Sequence, residues 1–556
     1  MLGLATLSYA EADSRTHRVD QLFKRYNQPE SPGCAVGVIR DGEPVHAKGY
    51  GMASIELGVP NTTRTVYEVG SLTKPFVAAS ILIAAKQGHL SLDDDIRKFL
   101  PEMPDYGTPV TVRHLIHHTS GLRDYMALLQ MMDLALGELH SRDEILALIA
   151  RQKELNFVPG DEFLYSNTGY FLLAQIIERA TGKSLRAFAD ENIFEPLGMK
   201  QTHFHDDRYM IVPNRAMAYA PVGEGRFVLY WDPRLDQVGP MGLYTTVEDL
   251  FRWDRIFDSD AVGGGGIVEQ MLRPGLLNDG TELDYLTGLK RKDHKGLEVV
   301  YHEGGIMGFL SLWLRFPEQK FSLTLLCNAA DANAYAAADG IIDAYLGEDL
   351  QEEKSEAADE ETETLEFIEL PEEVIREFEG GYRGEETALV VKATYEDGAL
   401  IMTSWDRGPI HQKQLPVSER RFRSVGGLHA VELEFDDAGV MHMFGDGERI
   451  DSFHPVELFT PTTEEMAAFV GRYFSEELQC IHTLAVDGGT LTLSIGRLPA
   501  VSLEPTCKDA FRREHLQLEF SRDDEGKVDG YSARRGLPED PGRGVKNIRF
   551  RRMDLR

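Results

Sequence analysis

The sequence predicts an α+β domain over residues 15–347, an acidic linker over 348–368, and two small antiparallel β domains over 369–460 and 461–556. Three observations carry this reading. Strand-like runs open and close the first segment while helical periodicity fills its middle, so one sheet is expected to join both its ends. Glu348 to Glu363 then holds nine acidic residues against one lysine, a self-repelling stretch that marks a boundary. Beyond it the texture turns to short alternating strands, and Glu372–Arg383 (EEVIREFEGGYR) returns as Glu464–Phe474 (EEMAAFVGRYF). A unit of about 90 residues, twice followed by a strand pair with a tight glycine turn, suits two small β-barrels.

In chain order, Leu2 to Ala10 is a short apolar run ending in Ala10-Glu11-Ala12, a pattern like a signal-peptidase site, with no Lys or Arg before it. Residues 1–14 are therefore either the remnant of a signal peptide, on an exported or periplasmic protein, or a frayed terminus on a cytoplasmic one. Ala35–Ile39 and Val45–Tyr50 read as a hairpin closed at Asp41-Gly42. Val69 to Gly88 reads as a helix apolar on nearly every side and hence buried. Ser71 stands at its start, where a hydroxyl can cap, and Pro75 falls in the first turn, where a missing N–H costs little. Short helices are expected after Leu92–Ile96 and from Thr111, longer ones between Arg142 and Glu195 with a break at Pro159-Gly160, and another from Thr246 to Phe257. Leu297–His302, Phe309–Phe316 and Phe321–Cys327 read as strands, and Ala334–Leu346 as a closing helix.

The net charge of −33 argues against nucleic acid or an anionic membrane surface as partner. No stretch approaches the ~18 apolar residues of a membrane span. Cys34, Cys327, Cys480 and Cys507 lack metal-site or disulfide-framework spacing, so free buried thiols are expected, with a Cys480–Cys507 pair as the alternative. No cofactor or metal is expected. His203-Phe204-His205-Asp206-Asp207 has part of a zinc-hydrolase spacing, but Arg208 stands where another ligand is needed, so these read as surface histidines.

Ser71 and Lys74 lie three apart, on one helical face, and so can form a nucleophile with its base; a capping serine beside a solvated lysine is the plainer alternative. Tyr165-Ser166-Asn167 follows some 90 residues on, and then His302-Glu303-Gly304 leads into Gly305-Ile306-Met307-Gly308-Phe309. In this order and spacing the set resembles the serine β-lactamase and penicillin-recognising hydrolase family, class C-like, closest to its D-aminopeptidase (peptidase S12-type) branch. The resemblance implies an antiparallel sheet flanked by helices with a helical subdomain, and two barrels after it. It also implies an acyl-enzyme on Ser71, with Lys74 as base, a neutral amine being favoured by burial at the positive end of a helix. Tyr165 would relay the proton, Asn167 would bind Lys74 and the substrate amide, and Gly304–Gly305 would line the substrate, the Gly305 N–H joining that of Ser71 as oxyanion donors. Leu115–Leu122, with His117 and His118, would buttress the site.

One departure bears on substrate. Most β-lactamases carry Lys-Thr-Gly where His302 stands, as it does in D-aminopeptidases, and a histidine holds a substrate carboxylate less well. This disfavours penicillins and favours small amides, esters or short peptides with a free amine, D-aminopeptidase activity being the sharpest version. A promiscuous esterase or weak β-lactamase on the same scaffold is the alternative among enzymes, and an inactive domain sensing peptidoglycan fragments the alternative among binding proteins. The resemblance further implies that a loop of the last barrel enters the catalytic cleft. Arg535–Gly542, an irregular insertion between the strand-like runs Val528–Ala533 and Val545–Phe550, is the matching segment, whose Glu539 or Asp540 would pair with a substrate ammonium, the alternative being barrels that only stabilise or oligomerise the chain. Oligomeric state leaves no trace in the sequence.

Overall fold

The structure is a computed structural model. It describes residues 14–26, 28, 30–132, 140–223, 225–230, 237–259, 261–347, 350, 367–385, 387–404, 410–424, 431–445, 448–496, 499–537 and 540–553. Contacts divide the chain into two compact units, one of residues 1–122, 136–150 and 157–353, the other of 123–135, 151–156 and 354–556.

The first unit is built on an eight-stranded antiparallel sheet. Its strands are β1 (Cys34–Arg40), β2 (Glu43–Tyr50), β3 (Pro274–Leu276), β4 (Glu282–Leu286), β5 (Lys290–His294), β6 (Leu297–Ile306), β7 (Phe309–Phe316) and β8 (Phe321–Cys327). Their order is 3-4-5-6-7-8-1-2, so the first and last strands of the segment do meet, Val36 opposite Leu325 and Val38 opposite Leu323. Asp41 and Gly42, both at positive φ, close the first hairpin as an Asp-Gly turn should. The principal helices are α1 (Lys74–Lys86), α2 (Asn167–Thr181), α3 (Val247–Asp254) and α4 (Ala334–Leu346). Ile341, Ile342 and Tyr345 of α4 share one core with Val36, Leu312, Leu314, Leu323 and Leu325. A Cβ on Gly37 would fall 2.5 Å from Val247 and Phe251, so α3 packs directly on β1 where only glycine leaves room. Lys74 to Ala84 of α1 are buried throughout, as its all-round apolar surface requires. β3, β4 and β5 were not legible in sequence, since they are short and polar.

Two expectations fail here. Cys34 and Cys327 are joined in a disulfide, because β1 and β8 bring them opposite each other across 293 residues; Cys480 and Cys507 are free. His203 and His205 are not surface residues: both are buried, with His203 opposite Tyr244 in a three-stranded sheet and its Nε2 3.3 Å from His205 Nδ1.

In the second unit the strands from Gly380 to Val456 close into an eight-stranded barrel, and those from Gly471 to Arg552 form a nine-stranded sheet. The repeat has a physical basis. Tyr382 donates to the Phe378 carbonyl at 2.9 Å, and Tyr473, its counterpart, donates to the Phe469 carbonyl at 2.8 Å. The tyrosine of each motif thus pins its leading helical turn to the first strand. Residues 535–537 and 540–542, expected in an irregular insertion, are strand, while Pro538 and Glu539 lie outside the described residues. Strands Val528–Leu537 and Asp540–Arg552 pair Leu537 with Asp540, and two register shifts absorb the irregular sequence. The acidic linker lies almost wholly outside the described residues. Among the described residues no helix is long and apolar enough to cross a membrane.

Candidate active site

Ser71 sits in a 3-10 turn, Gly70–Thr73, that runs straight into α1. Its hydroxyl does not cap the helix, and Pro75 occupies the first turn of α1 as expected. The turn is clamped against β6. Gly70, at φ +51°, approaches Gly305 so closely that a Cβ would lie 2.8 Å from the Gly305 nitrogen. A Cβ on Gly304 would meet the Val69 oxygen at 2.0 Å and the Leu72 nitrogen at 2.8 Å. Ser311 of β7 donates to the Val69 carbonyl at 2.7 Å. On the other side, the Val69 N–H donates to Leu243 O at 3.1 Å, and the Leu243 N–H donates to Thr73 Oγ1 at 3.1 Å. The glycines at 70 and 304 are therefore what let a helix start be pressed onto a strand.

Lys74 is fully buried while Ser71, one turn before it, is half-exposed. Lys74 Nζ lies 2.9 Å from Ser71 Oγ, 3.2 Å from Asn167 Oδ1 and 2.9 Å from the Pro240 carbonyl. The same nitrogen stands 4.8 Å from the centre of the Tyr165 ring and 5.5 Å from that of Tyr170. Asn167 is the first residue of α2, which fixes its direction. Tyr165 is held by His118. The Ser166 N–H donates to His118 Nδ1 at 3.0 Å, the Leu164 N–H donates to the His118 carbonyl at 2.8 Å, and the rings of His118 and Tyr165 lie 4.2 Å apart. Burial pushes His118 far below the ordinary histidine range, and Lys74 and His302 add to the effect, so it is neutral. Of the Leu115–Leu122 segment, His118 thus packs directly against the site.

His302 is also buried. Its Nδ1 donates to the Glu303 carbonyl at 2.6 Å, leaving Nε2 facing the Tyr285 hydroxyl at 3.4 Å. Burial, opposed by Glu303 and reinforced by Lys74 and Lys290, brings its pKa down to about 4, so it is neutral at physiological pH. Tyr285 continues to the Tyr170 hydroxyl at 3.4 Å, which donates to the Ile116 carbonyl at 3.0 Å. Gly305 is exposed opposite Leu310. β5 pairs with β6 only as far as Tyr301, so among the described strands residues 302–306 are paired on the β7 side alone.

The structure therefore brings Ser71, Lys74, Tyr165, Asn167, Gly304 and Gly305 together, with His302 packed behind them. Glu539 lies outside the described residues, and Asp540 opens a strand in the second unit. Sequence reasoning missed the Pro240 carbonyl, Tyr170, Tyr285 and Lys290; only the Gly239-Pro240-Met241-Gly242 run, with both glycines at positive φ, hints at the first. No group of three or more His, Cys, Asp or Glu residues able to hold a metal occurs among the described residues.

The sequence matches the Beta-lactamase family across residues 19–348. It is 30% identical over 349 residues to a penicillin-binding protein of Bacillus subtilis (strain 168), covering 59% of this chain and 74% of that one. It is 26% identical over 490 residues to a D-aminopeptidase of Cereibacter sphaeroides, covering 81% of this chain and 90% of that one. Among solved structures, the octameric penicillin-binding protein homologue from Pyrococcus abyssi superposes with a TM-score of 0.54 at 24% identity, covering 80% of this chain and all of that one.

Proposed function

This chain belongs to the β-lactamase family and is a serine hydrolase, and from that premise we propose that it acts through an acyl-enzyme on Ser71, as a D-aminopeptidase-like hydrolase of small amides, peptides or esters. The observation that carries the reading is the setting of Lys74 Nζ, 2.9 Å from Ser71 Oγ and bonded on its other sides to Asn167 Oδ1 and Pro240 O. An unprotonated amine there has two N–H donors and one lone pair. The two donors go to Asn167 and Pro240, and the lone pair is left to accept the Ser71 proton as Oγ attacks the substrate carbonyl.

The oxyanion that forms is received by the N–H groups of Ser71 and Gly305, each such donor being worth ~3 kcal/mol of barrier. Tyr165, beside Lys74, passes the proton to the leaving amine or alcohol, and water then attacks the acyl-enzyme by the reverse route. Two facts favour amine-bearing substrates. A long relative matched over 90% of its length is named a D-aminopeptidase, and His302 is a neutral, internally bonded side chain that offers no cation to a carboxylate.

A fluorophosphonate probe tests the reading. Mass spectrometry of the labelled protein is expected to find the adduct on Ser71, and Lys74→Ala is expected to lose most labelling while remaining folded by circular dichroism. An adduct on another residue, or none, overturns the proposal.

A further inference from the structure

Beside this cluster lies an ion pair that the mechanism does not use. The ammonium of Lys290, at the start of β5, contacts Oε1 of Glu303 on β6. The two side chains are 27% and 30% exposed, so the pair is open to solvent on one side. Lys290 Nζ also stands 5.7 Å from the centre of the Tyr165 ring, which ties the pair to the cluster. Glu303 lies two residues before Gly305, on the stretch of β6 unpaired along its β5 side. Its second carboxylate oxygen, Oε2, is buried and makes no hydrogen bond among the described residues. Burial raises the Glu303 pKa, but the charge of His302 where it is protonated, and the charge and hydrogen bond of Lys290, more than offset this and hold the carboxyl below the ordinary glutamate range. Tyr285, Tyr301 and Tyr335 are the other titratable groups that feel its charge.

We propose that Glu303 receives the free ammonium of the substrate at Oε2, while Lys290 holds the carboxylate from its other oxygen. The inference deepens the reading above and rests on Ser71 being the reacting group. A buried carboxylate oxygen without a donor is costly to the free protein, and an ammonium supplies both the donor and the opposite charge. The pair is half-buried, so Lys290 keeps Oε1 occupied and leaves Oε2 as the carboxylate oxygen still in need of a donor. An N-acylated substrate brings no cation, and a substrate carboxylate is repelled by Glu303, so the same group selects for amines twice over.

The test is binding rather than turnover. Calorimetry with the full-length chain carrying Ser71→Ala compares D-alaninamide with N-acetyl-D-alaninamide, before and after Glu303→Gln is added. Glu303→Gln is expected to weaken D-alaninamide at least tenfold and to leave the acetylated ligand within about threefold. Lys290→Met is expected to raise the pH at which amine binding sets in, because the carboxylate loses its fixed partner. The proposal is overturned if Glu303→Gln leaves amine binding unchanged or weakens both ligands alike. It is equally overturned if the preference for the amine disappears only in the Glu539→Ala, Asp540→Ala double variant. Because this readout needs no reaction at Ser71, loss of amine selectivity and failure of fluorophosphonate labelling are separate results, the first overturning the role of Glu303 and the second the role of Ser71.

Discussion

Replacing Glu68 with glutamine is expected to stabilise the protein, by an amount that grows with pH. Glu68 lies three residues before Ser71, in the short strand Tyr67–Glu68, opposite Tyr244. Its side chain is buried, the carboxyl accepts the Gly242 N–H, and Oε2 has no hydrogen-bond partner among the described residues. Burial drives its pKa from 4.5 up to about 8, the Gly242 bond opposing this only in part. The sign follows from proton counting. Below pH 4.5 both folded and unfolded chains hold the proton, so the carboxyl has no pH-dependent effect. Between 4.5 and 8 the unfolded chain releases it while the folded chain retains it, so stability falls as pH rises, and the loss is complete above 8. At ~1.36 kcal/mol per pH unit this amounts to roughly 3 kcal/mol by pH 7 and on the order of 5 kcal/mol above pH 8. Glu68→Gln has no proton to lose and keeps an acceptor for Gly242. Urea unfolding at pH 5 to 9, followed by the fluorescence of the buried Trp253 and Trp313, measures variant minus wild type, a difference in which all other ionisations cancel. The difference is expected to climb by about 1.4 kcal/mol per pH unit and then level off. A difference independent of pH would show that the carboxyl is solvated in solution and refute the reasoning.

Gly304→Ala puts a Cβ 2.0 Å from Val69 O and 2.8 Å from Leu72 N, both backbone atoms that cannot turn aside; it is expected to cost about 1–3 kcal/mol and to slow fluorophosphonate labelling at least tenfold, whereas Gly305→Ala, with its nearest contact at 3.5 Å on Leu310, serves as the stability comparison. Equal stability of the two variants would show that the turn is not pressed onto β6. Removing the Cys34–Cys327 disulfide, which spans 293 residues, with a Cys34→Ala, Cys327→Ala pair is expected to cost about 2–5 kcal/mol; a melting temperature matching that of the unreduced wild type would refute this.

What the sequence by itself determined is what depends on near neighbours. A Ser-x-x-Lys spacing at the head of an all-apolar run is enough to set Ser71 and Lys74 on one face of a buried helix, and they meet at 2.9 Å. The Asp41-Gly42 turn, the strands Phe309–Phe316 and Phe321–Cys327, the helix Ala334–Leu346 and the tyrosine shared by the two repeats are likewise local patterns, and each appears where its pattern lies. Only the tertiary structure decided which distant groups become partners. Cys34 finds Cys327 because β8 returns beside β1; His203 and His205 are drawn inside where their rings pack against Tyr244 of the neighbouring strand; Lys74 takes the Pro240 carbonyl, and Glu303 takes Lys290. Sequence periodicity says that a side chain is turned inward, but the order in which strands assemble decides what it meets there. A buried polar atom must find a partner or bear the cost of lacking one, and that choice is made among residues tens to hundreds of positions away.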